Sequence, residues 1–316
     1  MKTKNIIIAA LIIAAVISLG ALANLGYNSV GGIQGIETIT LWMNGKTVPL
    51  DLKTERPTED AENIRVGRVN YELRCAVCHG TMGDGRGSKA ERLKTRPTDF
   101  TTGVFKFRST KGAVPDNLDI FKTISRGLHG TGMLAWPGLT TTEKWQLTYY
   151  VKTFSDLFEG ADKPEKVYIP SPIMSRPQYM KFGAEIYSKA KCYECHGHEG
   201  KGDGEKAGEL KDDWQRPIKP ANLKERGLKR GKDIDEIYLS IATGLAGTPM
   251  QSFAKSLKPD EMLALAYYVQ SLSRVPTENG FITGILNMED DERNGLFIDH
   301  VLMPTLYRVK YFGWMF

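Results

Sequence analysis

The chain has 316 residues, of which 41% are hydrophobic, and its formal net charge is +5. This length suits two globular domains with additional segments. The basic residues at positions 219–232 are typical of a solvated surface or of neighbours of an acidic group such as a propionate. No segment resembles an element that reads a nucleic-acid groove. We therefore expect no nucleic-acid binding.

The first 23 residues combine a short basic start with an apolar segment. Residues 1–4 contain two lysines, and residues 6–23 carry no charge. Ala21 and Ala23 provide a small-residue cleavage site, so the segment fits a signal peptide. It is also long enough to span a membrane as an uncleaved helical anchor. Both alternatives place the remaining chain in the periplasm or on the outer face of the cytoplasmic membrane.

A short β-hairpin is predicted next. Residues 38–52 alternate in polarity around Asn44 and Gly45, a dipeptide that favours a tight turn between two strands. We assign residues 24–63 to an extended segment that contains this hairpin.

The string Cys-x-x-Cys-His occurs twice and uses every cysteine of the chain. The residues are Cys75, Cys78 and His79 in the first copy, and Cys192, Cys195 and His196 in the second. This string is the attachment signature of c-type haem. A four-cysteine zinc site would leave both histidines unexplained. A redox dithiol needs neither the histidine nor a second copy. The motifs therefore predict two covalently bound haems.

A methionine follows each motif at the same distance. Met133 lies 54 residues after His79, and Met250 lies 54 residues after His196. Each methionine ends a glycine-rich loop, at residues 127–133 and 244–250. Most methionines only fill gaps in a core, but such a methionine has no reason to recur at one spacing. The chain is therefore an internal repeat with an offset of 117 residues, which indicates duplicated domains.

Each copy also repeats a helical framework. Gly67 and Tyr71 precede the first haem motif, as Gly183 and Tyr187 precede the second, and such a glycine allows another helix to approach closely. Capping signals at residues 140–143 and 256–261 predict a helix with an aromatic stripe after each methionine loop.

The remaining repeated features are a glycine loop and a proline turn. The glycine loops at residues 83–87 and 200–204 lack the preceding strand and the ending of a phosphate-binding loop. We interpret them as tight loops beside the haems. The carbonyls of Pro97 and Pro220 are our candidates for the hydrogen-bond acceptors that orient the two motif histidines.

Both halves resemble the class I cytochrome c domain, a mainly α-helical fold around one haem. The resemblance covers residues 64–158 and 177–275 and rests on the haem motifs and the methionine loops. It implies that His79 and Met133 ligate one iron, and that His196 and Met250 ligate the other. The duplication is similar to dihaem electron-transfer subunits of respiratory complexes.

These observations divide the chain into six parts. They are a signal peptide or anchor (1–23), the extended segment (24–63), cytochrome c domain 1 (64–160), a proline-rich linker (161–176), cytochrome c domain 2 (177–275) and an apolar tail (276–316). The linker is expected to be stiff and extended. Because the tail ends in many large apolar residues, we expect it to dock on a partner, which would be a membrane-bound redox complex.

Iron with two strong axial ligands has no vacant position for a substrate, and methionine raises the reduction potential. We therefore expect an electron carrier without catalytic residues, which exchanges electrons with redox proteins. The alternative is an enzyme similar to a dihaem cytochrome c peroxidase, in which one iron can open. His129 and His198 keep this alternative open, because His129 lies four residues before Met133 and could replace it as a ligand.

Overall fold

The computed structural model describes residues 48–159, 164–224 and 228–273. The expected N-terminal helix, most of the hairpin and the apolar tail lie outside these residues. Residues 48–52, which belong to the expected hairpin, form no strand. In the described part of the chain the fold is mainly α-helical, with only two isolated β-bridges.

Within the described ranges, eight α-helices form two sets of four. The first set is α1 (Ala61–Arg74), α2 (Ala76–His79), α3 (Asn117–Arg126) and α4 (Thr141–Lys152). The second set is α5 (Arg176–Lys189), α6 (Tyr193–His196), α7 (Ile234–Thr243) and α8 (Pro259–Leu272). Short 3-10 helices lie at Ala90–Arg92, Phe100–Thr102, Asp156–Phe158 and Glu205–Gly208.

The segments with predicted capping signals, residues 140–143 and 256–261, begin the two helices that follow the methionine loops. Thr140 caps α4 and forms a capping box with Glu143. At α8 the cap residue is Lys258, and Pro259 occupies the first helical position. The Glu261 carboxylate accepts a hydrogen bond from the Lys258 backbone N–H at 2.8 Å.

Close helix contacts at two equivalent glycines organise each set. Helix α1 packs on α4, and α5 packs on α8. A Cβ on Gly67 would lie 2.0 Å from the carbonyl oxygen of Gln146, and one on Gly183 would lie 2.1 Å from that of Ala264. The sequence prediction of a close approach at these glycines is confirmed.

The aromatic stripe of α4 divides between two clusters. Trp145 stacks on Phe121 with ring centroids 4.2 Å apart, in a small cluster with Tyr149. Tyr150 faces the cluster that contains Cys75. Most of the stripe therefore lies beside the motif cysteine, and Trp145 packs elsewhere because it points in a different direction from the helix.

The linker residues form hydrogen bonds with a loop of the first half of the chain. Residues 164–175 contain neither helix nor strand. Lys166 forms an isolated antiparallel bridge with Thr110, and the Val167 N–H donates to the Ser109 carbonyl at 2.8 Å. These bonds attach the start of the second half to the surface of the first.

A tryptophan of the second half also contacts the first. Trp214 lies beside the guanidinium groups of Arg86 and Arg96, at 5.4 and 5.1 Å from the ring centroid. The neighbouring Arg216 forms an ion pair with Glu91 at 2.6 Å. The two halves therefore share a polar interface.

Candidate functional site

Each Cys-x-x-Cys-His motif forms one helical turn at the end of a longer helix. In the first copy, the His79 N–H donates to the Cys75 carbonyl at 2.8 Å. In the second copy, the His196 N–H donates to the Cys192 carbonyl at 2.9 Å. None of the four cysteines forms a disulfide, and all four are half-buried. Helices α2 and α6 therefore group two thiols and one imidazole in each copy.

A backbone carbonyl accepts from one ring nitrogen of each motif histidine. His79 Nδ1 lies 3.2 Å from the Thr98 oxygen, and His196 Nδ1 lies 3.1 Å from the Ala221 oxygen. With Nδ1 as the hydrogen-bond donor, Nε2 keeps a lone pair for a metal. Burial lowers the pKa of His79 to about 4 and also lowers the pKa of His196, which favours the neutral, ligating form.

The proline carbonyls are not the acceptors, so that prediction is wrong by one residue. The Pro97 oxygen instead lies 2.7 Å from the position of a Cβ on Gly85, and the Pro220 oxygen lies 2.8 Å from that on Gly202. The turn that begins at each proline thus directs the next carbonyl to the histidine.

The glycine loops lie directly against the haem motifs, as expected. The Gly85 N–H donates to the His79 carbonyl at 2.9 Å, and the Gly87 N–H donates to the Cys78 carbonyl at 3.0 Å. A Cβ on Gly87 would lie 2.4 Å from the Val77 oxygen. The second copy repeats both hydrogen bonds, from Gly202 and Gly204 to His196 and Cys195.

A buried tyrosine fixes the residue after each histidine. The Tyr71 hydroxyl donates to the Gly80 carbonyl at 2.7 Å, and the Tyr187 hydroxyl donates to the Gly197 carbonyl at 2.6 Å. The sequence placed both tyrosines on the same helix face as a close-packing glycine, but it did not predict their hydrogen bonds. The available signal in the sequence was that a glycine and a tyrosine, four residues apart, precede each motif.

The methionine loops close on themselves. The Leu128 N–H donates to the Met133 carbonyl at 2.7 Å, and the Leu245 N–H donates to the Met250 carbonyl at 2.9 Å. Gly127 begins the first loop with φ of 64°, a conformation that favours glycine.

Each methionine packs against the same apolar cluster as a motif cysteine. Cys75 and Met133 contact a cluster centred on Tyr71, Ile120, Trp136 and Leu147. Cys192 and Met250 contact the corresponding cluster of the second copy. The structure thus brings together the predicted cofactor-binding side chains of each half.

The two sites differ in the residue beside the histidine. Phe100 stacks on the His79 ring with centroids 4.5 Å apart. Leu223 occupies the matching position, since its N–H donates to Gly200 as that of Phe100 donates to Gly83. The second imidazole therefore has an aliphatic neighbour where the first has an aromatic one.

His129 and His198 have different surroundings. The His129 backbone N–H donates to the Lys229 carbonyl at 3.3 Å, which places this residue at the contact between the halves. His198 is exposed and stacks on Tyr193 at 4.5 Å between ring centroids.

The residues present fit a haem in each half. Each half has two thiols outside any disulfide and an imidazole with an available nitrogen, and one of the thiols shares an apolar cluster with the methionine thioether. Arg108 adds a polar feature, because its Nε is buried and makes no hydrogen bond within the described part of the chain. Such a group suits a carboxylate of a porphyrin.

The described residues contain neither a cluster of metal-binding side chains nor a membrane-spanning helix. No group of three or more His, Cys, Asp or Glu side chains in residues 48–159, 164–224 and 228–273 is arranged to hold a metal ion. No helix in these ranges is long and apolar enough to cross a membrane.

Two family models match the chain in separate halves. The model of cytochrome c oxidase, cbb3-type, subunit III matches residues 62–151, and the model of cytochrome c matches residues 180–273. The FixP subunit of a cbb3-type cytochrome c oxidase from Sinorhizobium medicae is 29% identical over 165 residues. That match covers 46% of this chain and 52% of the relative, so the chain spans about half the length of this relative.

A solved structure is similar to both halves together. It is a chain of the Kuenenia stuttgartiensis reducing HAO-like protein complex, with 38% identity and a TM-score of 0.64. The match covers 70% of this chain and 100% of that chain. The paired haem motifs, the repeated helical sets and these matches together show that the chain belongs to the dihaem c-type cytochromes, built from two cytochrome c domains.

Proposed function

We propose that this cytochrome passes single electrons between redox proteins on the outer side of the cytoplasmic membrane, without bond-making chemistry of its own. The observation that carries the proposal is the repetition of one geometry. In each half the first thiol of the haem motif and the methionine pack against one apolar cluster, and the motif histidine is bound to a backbone carbonyl. Equivalent sites favour equivalent roles over a division into a catalytic and a storage haem.

The side chains of the chain have distinct tasks in this proposal. Cys75 and Cys78 attach one haem, and His79 and Met133 are its axial ligands. In the second half Cys192 and Cys195 attach the haem.

His196 and Met250 are the axial ligands of the second haem. When bound, each haem supplies an iron that gains and loses one electron. The Thr98 and Ala221 carbonyls hold the imidazoles in one orientation, and the apolar clusters exclude water.

Visible and near-infrared spectroscopy of the ferric protein tests the ligation. We expect low-spin haem with the weak far-red band of sulfur–iron charge transfer. The band should be reduced by about half in Met133→Ala and in Met250→Ala, because each substitution removes the sulfur ligand of one of the two haems. Met82→Ala is the matched control, since Met82 is 71% exposed. An unchanged band in Met133→Ala, together with loss of a ligand in His129→Ala, would contradict the assignment and support the peroxidase-like alternative.

We further propose that the cytochrome is a subunit of a larger oxidoreductase complex. The matched relatives support this role, because one is a subunit of an oxidase and the other a chain of an HAO-like protein complex. In this proposal any catalysis occurs in a partner chain, which exchanges electrons with the two haems.

The apolar tail is our proposed contact with that complex. Residues 306–316 contain eight large apolar side chains, interrupted by Arg308, Lys310 and Gly313. Each fully buried apolar side chain contributes about 1.5–3 kcal/mol. Deletion of residues 301–316 should leave both haem spectra unchanged and release the cytochrome during gentle solubilisation of membranes. Altered haem ligation would instead assign the tail to the second domain.

The localisation is proposed from the N-terminal segment. Intact-mass measurement separates an anchor, which begins at Met1, from a cleaved protein, which begins at Asn24. In both cases protease added to intact spheroplasts should digest the haem domains. Protection of these domains would contradict an outer location.

A further inference from the structure

Two equivalent helices form the centre of the contact between the domains. Helix α3 ends directly before the first methionine loop (residues 127–133), and α7 ends directly before the second (residues 244–250). Asp119 on α3 and Glu236 on α7 differ by the repeat offset of 117 positions. Their side chains are only 2% and 3% exposed. The duplication therefore places two buried carboxylates at the interface.

Arg230 contacts both carboxylates. Its Nη2 lies 2.8 Å from Asp119 Oδ1, and its Nε forms an ion pair with Glu236. The Arg230 side chain is 7% exposed, so this residue of the basic run at 219–232 is not part of a solvated face. At the same repeat offset the first domain has Ala113, which is exposed. The arginine that contacts both carboxylates thus has no counterpart in the first domain.

Two basic side chains of α3 complete the cluster. Lys122 Nζ lies 2.8 Å from Glu236 Oε1, and Arg126 Nη1 lies 3.5 Å from the same oxygen. Burial alone would raise the pKa of Glu236, but Arg230, Lys122 and Arg126 outweigh it and lower the pKa. The carboxylate therefore stays charged and paired inside the interface.

Two hydrogen bonds to backbone carbonyls connect this interface to the methionine loops. The N–H of His129, in the first loop, donates to the Lys229 carbonyl next to Arg230. Arg108 of the first domain donates through Nη2 to the Thr243 carbonyl at 2.8 Å, directly before the second loop. The first methionine loop, and the residue directly before the second, are thus each hydrogen-bonded to the opposite domain.

We propose that Arg230 is a positioning residue for electron transfer between the haems, which joins α3 to α7 and holds the two methionine loops in one fixed relation. The inference rests on the proposed function, because it concerns transfer between two haems of one chain. Without Arg230 the buried Asp119 carboxylate would lose its ion-pair partner from the second domain, and the weakened contact would let the domains separate on their linker.

The test is Arg230→Met in the holoprotein. We expect the docking equilibrium of the domains to fall by about 100-fold or more, as when one partner of a buried ion pair is removed. Calorimetry should then resolve two unfolding transitions where the native protein shows one. Small-angle scattering should show a larger radius of gyration, and electron equilibration between the haems after flash photoreduction should slow.

Two further variants separate a specific role from general damage. Arg230→Lys keeps the charge but can make fewer contacts, so its equilibration rate should lie between those of the native protein and Arg230→Met. Arg65→Met is the control, because Arg65 forms an exposed ion pair with Glu62 on α1, and it should change nothing. The far-red bands must persist in every variant, which shows that both haem sites remain folded.

Two results would overturn the inference. One is a single transition with unchanged scattering in Arg230→Met, which would mean that other contacts dock the domains. The other is separated domains with an unchanged equilibration rate, which would make the cluster purely structural. Absence of the far-red bands in the native protein would instead contradict the proposed function.

Discussion

At the scale of single residues, the haem sites depend on hydrogen bonds that orient a ring or a turn. The carbonyls of Thr98 and Ala221 each lie about one hydrogen-bond length from a histidine Nδ1, at 3.2 and 3.1 Å. A neutral imidazole with Nδ1–H in such a bond presents Nε2 in a fixed direction. The orientation of both proposed ligands is thus set by the backbone.

We predict that the two haems can be removed one at a time. Cys75→Ala/Cys78→Ala and Cys192→Ala/Cys195→Ala should each keep about half of the haem stain after denaturing electrophoresis, because each pair of thiols attaches one haem. The native chain, loaded at equal protein mass, is the reference. Full staining after either double substitution would contradict the attachment.

A second prediction concerns the buried tyrosine hydroxyls. Tyr71→Phe should destabilise the holoprotein by about 1–3 kcal/mol, because the Gly80 carbonyl loses its donor in a buried position. Tyr187→Phe should act similarly through Gly197. The measurement is thermal unfolding followed in the haem absorption, with Tyr168→Phe, at a 70% exposed position, as control. Equal midpoints for all three variants would show that the hydroxyls are dispensable.

At the scale of helices, each domain is organised by a crossing in which a glycine meets the backbone of another helix. Gly67 on α1 meets α4, and Gly183 on α5 meets α8. Helices α1 and α5 also contain the buried tyrosines near their ends, and the haem motif follows each of them. A displacement of either helix pair would therefore move the residues that face the haem.

Alanine at these glycines should be unfavourable. We expect Gly67→Ala to destabilise the holoprotein by about 1–3 kcal/mol, since the new methyl group would overlap the Gln146 carbonyl and force the helices apart. Chemical denaturation measures the effect. Gly112→Ala is the matched control, because a Cβ there meets no atom within 4 Å. Because Gly→Ala by itself stabilises a protein through the unfolded chain, equal or higher stability of Gly67→Ala would contradict a close helix crossing at this residue.

At the scale of the whole molecule, the interface between the domains consists mainly of charges. Arg230 lies between Asp119 and Glu236, and Trp214 lies beside two arginines of the first domain. Because the carboxylates must be ionised for these contacts, the attachment of the domains depends on pH.

Acid should weaken this attachment. The folded-state pKa of Glu236 lies below its unfolded value of 4.5, so its contribution is complete above pH 4.5 and is lost as the pH falls through the folded pKa. We expect the unfolding midpoint of native protein to exceed that of Glu236→Gln at pH 7, and the difference to shrink towards pH 3. Comparing the two proteins cancels other groups, including the buried histidines. A difference that does not change with pH would contradict an ionised Glu236.

The sequence alone determined the features that follow from covalent chemistry and local spacing. Two Cys-x-x-Cys-His strings and two methionines at one distance predicted the duplicated cytochrome c domains, and the capping residues of α4 predicted where that helix begins. These features depend on residues close together in the chain, so the pattern carries them directly.

The tertiary structure decided what depends on contacts between distant segments. It assigned the histidine acceptors to Thr98 and Ala221, because the turn after each proline determines which carbonyl faces the ring. It also placed Arg230 between Asp119 and Glu236, although the sequence indicated only a basic run on a solvated face or beside a propionate. A charge is buried or solvated according to the side chains of a distant segment, and local spacing does not encode that partner.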